Sequence, residues 1–266
     1  MITLAAGAGA AQVEIDERAG AHLTRLRVEG LDLLVPPEVD DHSFGCFVMA
    51  PWAGRTRHGR FTFDGVDYSL PINKPPHAIH GTVRDQRWSV DEQTGTAVTL
   101  STKLGEPWPF PGEVVQRVSI NPGALSLEME VRAADGAMPV SCGWHPWWSR
   151  QLERGEPVEL ELHAGQMFER DDEGIPSGAL VGVQPPPWDD CFTDLHEPVA
   201  VLRWPGAGTV TIESDCPCVV VFTDPEHALC VEPQSGPPDA LNLDPRVVEP
   251  GQPLVVRTRW AWTLTR

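Results

Sequence analysis

The side chains best suited to chemistry are concentrated in a few short stretches, of which SCGWHPWWSR, residues 141–150, is the densest. His145 stands there beside three of the chain's 10 tryptophans, and the ring of Pro146 restrains the histidine backbone to extended conformations. Indole rings offer flat faces for stacking on the C–H faces of a sugar, and an imidazole can donate or accept a proton near neutral pH. The stretch fits a sugar site with His145 as proton donor, or a core histidine among core tryptophans.

A second candidate proton carrier is Glu232, in VEPQSGPPDALN at residues 231–242. It directly follows the apolar run ALCV, which has the composition of a buried strand. A carboxylate at the end of such a strand is paired, raised in pKa, or exposed at a rim. The stretch PPWDDCF adds two adjacent acids, Asp189 and Asp190, beside Trp188.

Two further loops carry candidate binding residues. In PWAGRTRHGRF, Arg55 follows Gly54 and could donate a planar fork of hydrogen bonds to a hydroxyl pair or a carboxylate, or could be an ordinary surface arginine. PINKPPHAIHG contains His77 and His80. Residues three apart on a strand point to opposite faces, so we expect only one of these histidines to reach a pocket, and no metal site from the pair.

The cysteines favour reduced thiols. There are six, at positions 46, 142, 191, 216, 218 and 230, and their spread does not suggest a disulfide framework. Cys216 and Cys218 form the only close pair, whereas a zinc site usually offers two such pairs at fixed spacing. We therefore expect structural thiols and not a zinc site.

Charge and hydropathy narrow the class of partner. The formal net charge of −18 argues against nucleic acid and anionic lipid as binding partners. The sequence contains no run of 18 or more apolar residues, the length that a membrane-spanning helix needs. The N-terminal stretch lacks the basic start of a signal peptide, so we expect a cytoplasmic protein. We further expect a monomer or homodimer that binds a small molecule. One segment departs from this acidity and could adjoin an anionic or polyhydroxylated ligand, or be plain surface charge: Arg55, Arg57, Arg60, Lys74, Arg84 and Arg87.

The elements that must position these residues are predicted to be β-strands. Short alternating segments bounded by Gly, Pro, Asn or Asp recur along the chain, among them FDGVDY as a hairpin and LSLEMEV as a half-buried strand. Helical periodicity is nearly absent, and the 27 prolines and 24 glycines suit many turns. We predict one large antiparallel β domain over residues 1–266, a sandwich or barrel-like pile of sheets.

Taken in chain order, these stretches resemble the aldose 1-epimerase (galactose mutarotase) family. The family's Asn-Arg loop, Gly-Arg-Phe strand and Asp-Gly turn are matched by AGRTRHGRFTFDG, and its LPxN…LHG segment is matched by LPINKPPHAIHG. GWHPWW matches a histidine with aromatic neighbours, DDCF an Asp-x-Cys-Phe piece, and EPQSGPPDALN a Glu-x-Gln followed by Pro-Asp-Ala-x-Asn. The matches run from about residue 13 to the C-terminus.

The resemblance implies a β-supersandwich that interconverts the α and β anomers of an aldohexose such as glucose or galactose without metal or cofactor. Carried over by position, His145 is the general acid that protonates the ring oxygen, and Glu232 is the base that takes the proton of the C1 hydroxyl. The residues implied in substrate binding are Arg55, His80, Asp189, Trp147 and Gln234. The three tryptophans around His145 are expected to form a sugar-stacking wall.

Departures from the family pattern leave alternatives open. Gly54 replaces the usual asparagine, His-Pro-Trp-Trp is closer to a bacterial branch, and Asp190 could take the place of Asp189. The basic segment motivates an anionic substrate such as a hexose phosphate or a sulfonated hexose. A non-catalytic carbohydrate-binding protein, or a metal enzyme using His77, His80 and cysteines, are the remaining alternatives.

Overall fold

The computed structural model describes residues 1–265, most of which lie in β-strands. The described residues form two 3₁₀-helices, Arg57–Gly59 and Val83–Asp85, and one short α-helix, α1 (Ala240–Leu243). None of the helices in residues 1–265 is long and apolar enough to cross a membrane. The strands are β1 (Ile2–Ala6), β2 (Ala11–Asp16), β3 (His22–Val28), β4 (Leu31–Asp32), β5 (Cys46–Met49), β6 (Arg55–Thr56), β7 (Arg60–Phe63), β8 (Val66–Ser69), β9 (Ala78–Ile79), β10 (Ser89–Gln93), β11 (Ala97–Leu104), β12 (Gly112–Asn121), β13 (Ala124–Ala133), β14 (Met138–Val140), β15 (Gly143–Ser149), β16 (Glu159–Arg170), β17 (Pro176–Gly182), β18 (Asp189–Trp204), β19 (Gly208–Ser214), β20 (Cys218–Phe222), β21 (Ala228–Gln234), β22 (Arg246–Val248) and β23 (Leu254–Leu264).

One continuous antiparallel sheet organises the chain. Its hydrogen-bonded path runs β1–β2–β3–β5–β15–β21–β20–β18 and continues β18–β19–β23–β13–β12–β11–β10. The strands β16 and β17 extend from β18, and β4 pairs with β3. The predicted all-β, antiparallel fold is therefore confirmed.

The long strand β18 divides this path into two layers. Its first residues, 189–192, pair with β20, and its last, 200–204, pair with β19. Apolar side chains of the two layers meet between them: Trp148 of β15 packs edge-on against Trp260 of β23, with ring centroids 4.7 Å apart. Trp144 of β15 donates its indole N–H to Gln116 Oε1 of β12 at 3.0 Å, which satisfies a buried donor inside this core.

Local sequence signals explain several elements. In the β7–β8 hairpin, Asp64 and Gly65 have φ angles of 50° and 73°, the left-handed pair that the Asp-Gly turn predicts. Strand β13 alternates buried and partly exposed residues along its length, as LSLEMEV predicts. All six cysteines are free and buried.

Candidate active site

The register between neighbouring strands brings the two predicted proton carriers together. Phe47 of β5 pairs with His145 of β15, and Trp147 of β15 pairs with Cys230 of β21. Because these two strands are antiparallel, His145, two residues before Trp147, lies across from Glu232, two residues after Cys230. Side chains at positions two apart share a face of the sheet, so Cys230 and Glu232 project on the same side. This is the face turned away from the Trp144–Trp148 core.

A cavity of about 540 Å³ opens on this face. That volume lies within the range of small-molecule sites. Polar side chains from several separate parts of the chain converge there, among them Arg55, His80, Arg84, His145, Arg170, Asp189, Asp190, Glu232 and Gln234. A larger surface depression of about 1080 Å³ lies elsewhere, and its charged side chains include the ion pairs Arg117–Glu128 and Arg259–Glu213. The 540 Å³ cavity is the candidate site because it holds the titratable pair.

His145 and Glu232 form a close buried pair. The distance from His145 Nε2 to Glu232 Oε1 is 3.2 Å, and the two residues are 6% and 3% exposed. Gln234 Nε2 donates a hydrogen bond of 3.1 Å to the other carboxyl oxygen, Glu232 Oε2. The carboxyl group is therefore held by Gln234 on one oxygen and presents the other to the imidazole.

Burial shifts both groups of this pair toward their neutral forms. Desolvation raises the pKa of Glu232 well above its ordinary value, and the charge of Asp189 adds to the rise. Desolvation also lowers the pKa of His145 to about 3, with Arg84 contributing in the same direction. Both shifts favour a carboxylic acid beside a neutral imidazole over a carboxylate–imidazolium ion pair.

Aromatic rings fix the orientation of the histidine. The His145 ring stacks with Phe47 at a centroid distance of 4.6 Å and with Trp147 at 4.8 Å, both at an interplanar angle of 26°. His80 approaches the same ring edge-on at 5.2 Å. The guanidinium of Arg84 lies 4.3 Å from the centroid of Phe47, a cation–π contact that anchors this stack. Imidazole rotation out of line with Glu232 would break these contacts.

The expected wall of three tryptophans is wrong for two of them. Trp147 lines the cavity, whereas Trp144 and Trp148 are fully buried in the core between the layers. The reason is the period of the strand: positions 145 and 147 share one face of β15, and positions 144 and 148 share the other. Trp147 is thus the one aromatic of this stretch that a ligand in the cavity could reach.

The prediction that one of the two loop histidines reaches the pocket is confirmed. His80 lines the cavity, whereas His77 accepts a hydrogen bond from the backbone N–H of His58 at 3.2 Å. The cause differs from simple strand alternation, because β9 ends before His80, whose φ is 65°. Gly81 follows at φ 73°, where an added Cβ would lie 2.0 Å from the carbonyl oxygen of Ala50. This tight turn is what points His80 into the site.

The two adjacent acids, Asp189 and Asp190, have different arginine contacts. Arg55, on β6, donates to Asp189 Oδ2 at 3.4 Å, while Arg170 Nε lies 2.9 Å from Asp190 Oδ1. Both acids line the cavity, but the charge of Asp189 is the one that reaches Glu232. Arg170 also donates to the backbone oxygen of Asp189 at 2.7 Å, so one arginine holds this end of β18 in place.

Several cavity residues lie outside the predicted set of site residues. Lys74 and Arg84 belong to the basic segment, but nothing in the sequence separates them from Arg57, Arg60 and Arg87, which do not line the cavity. Two others, Phe47 and Arg170, lie on strands whose composition is ordinary. Their signal is the sheet register, which the sequence does not reveal.

Four buried polar atoms of cavity residues have no hydrogen-bond partner within residues 1–265: His80 Nδ1, His145 Nδ1, Trp147 Nε1 and Gln234 Oε1. Buried polar atoms are normally paired, so these four are groups that a ligand in the cavity could satisfy. For metal binding, one group of at least three His, Cys, Asp or Glu side chains in the described residues has its ligand atoms close together: His145, Cys230 and Glu232. The loop histidine His77 is not part of it.

Comparison with known proteins agrees with this architecture. The family model described as aldose 1-epimerase matches residues 1–261. The chain is 28% identical over 263 residues to the uncharacterised protein YihR of Escherichia coli K12, covering 88% of this chain and 85% of YihR. It is 29% identical over 164 residues to human galactose mutarotase, covering 57% of this chain and 45% of that protein.

Solved structures share the fold at lower identity. The galactose 1-epimerase of Lactobacillus acidophilus superimposes with a TM-score of 0.82 at 16% identity, covering 99% of this chain and 94% of that one. The GalM/aldose epimerase homologue of C. elegans superimposes with a TM-score of 0.84 at 19% identity, covering 100% and 99%. Because the family model matches nearly the whole length of this chain, the chain belongs to the aldose 1-epimerase family of isomerases.

Proposed function

We propose that this protein is a mutarotase that interconverts the α and β anomers of a free aldohexose such as glucose or galactose. The observation that carries the proposal is the His145–Glu232 pair, 3.2 Å apart and buried at the base of the 540 Å³ cavity. Opening a cyclic hemiacetal requires removal of the proton on O1 and delivery of a proton to O5. The pair can serve both transfers, with one group donating a proton and the other accepting one.

In the proposed reaction Glu232 takes the O1 proton while His145, as imidazolium, donates to O5. The C1–O5 bond breaks and the C1–O1 double bond forms, so the pair changes from carboxylate and imidazolium to carboxylic acid and imidazole. Rotation about C1–C2 presents the other carbonyl face, and the reverse transfers close the ring. The pair holds one proton throughout, and the burial that favours the neutral form stabilises the open-chain state.

The remaining cavity residues have proposed roles in binding. Arg55 and His80 are proposed to donate to sugar oxygens, and Asp189 to accept from a hydroxyl, since all three side chains line the cavity. The face of Trp147 is proposed to stack on the sugar ring while its other contacts hold His145. Gln234 is proposed to orient Glu232 through its 3.1 Å hydrogen bond.

Polarimetry tests the proposal. Freshly dissolved α-D-glucose and α-D-galactose are followed with and without the purified, chelator-treated protein. We expect a faster approach to the same final rotation for at least one sugar. An unchanged rate for both, with folded protein, would contradict a neutral-aldohexose mutarotase.

A second candidate substrate class is an anionic hexose, such as a sugar phosphate or sulfonate. Four cationic side chains line the cavity: Arg55, Lys74, Arg84 and Arg170. Arg55 and Arg170 are engaged by Asp189 and Asp190, but Lys74 has no ion pair within residues 1–265. Under this alternative the protein accelerates anomer exchange of glucose 6-phosphate or a 6-sulfonated hexose and not of glucose, and Lys74→Ala lowers only the rate on the anionic sugar.

A further inference from the structure

A thiol lies directly beside the catalytic pair. Cys230 is fully buried on β21, two residues before Glu232 and across the strand pair from Trp147. His145, Cys230 and Glu232 each present one ligand atom, and these atoms all lie within 4.8 Å of one another. The thiol has no part in the proposed ring opening, so its position beside both proton carriers calls for a separate explanation.

We propose that His145, Cys230 and Glu232 form a binding site for a zinc-type divalent cation, and that its occupation blocks the sugar site. Imidazole, thiolate and carboxylate are all zinc ligands, with bonds of about 2.0–2.3 Å. In a tetrahedral zinc site such bonds separate neighbouring N and O ligand atoms by about 3.3 Å. His145 Nε2 and Glu232 Oε1 already lie 3.2 Å apart, so the thiolate is the ligand that has to close in.

The donor set selects the kind of metal. Thiolate and imidazole favour Zn²⁺ and its spectroscopic substitute Co²⁺, whereas Mg²⁺ and Ca²⁺ prefer all-oxygen sites. Three protein ligands would leave a fourth position toward the cavity, filled by water. On coordination, the thiol and the His145–Glu232 pair each give up a proton to solvent, since the ligands bind in their deprotonated forms.

Occupation of this site is incompatible with the proposed catalysis, and in this respect the inference rests on the proposed function. The metal would take the Glu232 oxygen and the His145 nitrogen that the sugar requires. Zinc and sugar should therefore compete, and the apparent dissociation constant of each should rise in proportion to the concentration of the other once that concentration exceeds the other's own dissociation constant. The metal is an inhibitor in this scheme and takes no part in ring opening.

The test combines a direct binding signal with kinetics. Chelator-treated protein is titrated with Co²⁺, and absorption from thiolate-to-cobalt charge transfer is recorded; zinc binding is measured by equilibrium dialysis. We expect one metal per chain, a charge-transfer band that zinc abolishes, and inhibition by zinc but not by magnesium. Cys230→Ala should lose the band and weaken zinc binding by at least about 100-fold while keeping metal-free activity.

Cys46→Ala is the matched control, because Cys46 is equally buried on the neighbouring strand β5 but faces the core between the layers. It should bind zinc like the wild type. Cobalt binding without a thiolate band, or unchanged zinc affinity in Cys230→Ala, would overturn the site. Because the band and the dialysis need no substrate, they test the metal site even if no sugar proves to be turned over.

Discussion

Replacing Glu232 by glutamine should lower catalysis and raise stability together. The substitution keeps the size and shape of the side chain, and the amide can still accept the hydrogen bond that Gln234 donates to Glu232 at 3.1 Å. The amide cannot accept the O1 proton. Loss of one positioned proton carrier is worth roughly 10²–10⁴-fold in rate, or about 3–5 kcal/mol of transition-state stabilisation.

The gain in stability follows from the direction of the pKa shift. Burial raises the pKa of Glu232 in the folded chain above its value of 4.5 when unfolded. A carboxyl group with a raised folded pKa contributes stability below the unfolded pKa and loses it as pH rises toward the folded pKa. The wild type should therefore lose about 1.4 kcal/mol per pH unit across that interval, and Glu232→Gln should not.

Urea unfolding of both proteins at pH 5, 6 and 7 measures this difference, and polarimetry measures the rate. We expect the free energy of unfolding of the variant, relative to that of the wild type, to increase with pH. The constant cost of burying the amide cancels in this comparison. If Glu232 instead formed a stabilising ion pair with His145, the variant would be less stable by about 3–5 kcal/mol. That result would contradict a raised pKa for Glu232, and a rate within tenfold of the wild type would contradict its role as the base.

Three further predictions concern the same pocket. The rate should fall as pH rises through the elevated pKa of Glu232, where the pair loses its proton, and should persist on the acid side toward the pKa of His145 at about 3. Polarimetry from pH 4 to 9, with the uncatalysed rate of the sugar subtracted, measures this profile. A loss of rate as pH drops below 6.5, the ordinary pKa of a free imidazole, would contradict it. His145→Asn should lose roughly 10²–10⁴-fold in rate whereas His77→Ala keeps near-normal kinetics, and the reverse order would remove His145 from the mechanism. Trp148→Ala should lower the free energy of unfolding, measured in urea, by about 3–5 kcal/mol because it leaves a cavity in the core, whereas Trp147→Ala should chiefly raise the KM for sugar. Equal losses of stability without a change in KM would contradict the assigned roles.

The fold class was predictable because strand alternation leaves a local record. LSLEMEV and FDGVDY each specify their strand or turn within a few residues, and β13 and the β7–β8 hairpin form as those patterns predict. The division of β18 between two layers has no such record. Its partners β20 and β19 are chosen by long-range packing, which local periodicity does not encode. The extent of a single domain over residues 1–266 stays a prediction.

The site was predictable in part. His145 and Glu232 were identified from the order of motifs along the chain, but their contact depends on the register between β15 and β21. The stretch WHPWW has no polar alternation, since both faces of β15 are buried, so the sequence could not show which tryptophans face the core. Gly54 is explained only in three dimensions: its φ is 64°, and an added Cβ would lie 2.9 Å from Pro238.

Acid–base ring opening by the His145–Glu232 pair is tested most directly by exchange NMR on glucose and galactose at anomeric equilibrium, with wild-type protein and Glu232→Gln at equal concentration. Magnetisation transfer between the α and β anomeric protons reports ring opening and closure without any net change in composition. We expect transfer with the wild type for at least one of these sugars and its loss in Glu232→Gln. Absence of transfer with the wild type, or equal transfer with the variant, would contradict acid–base ring opening by the His145–Glu232 pair.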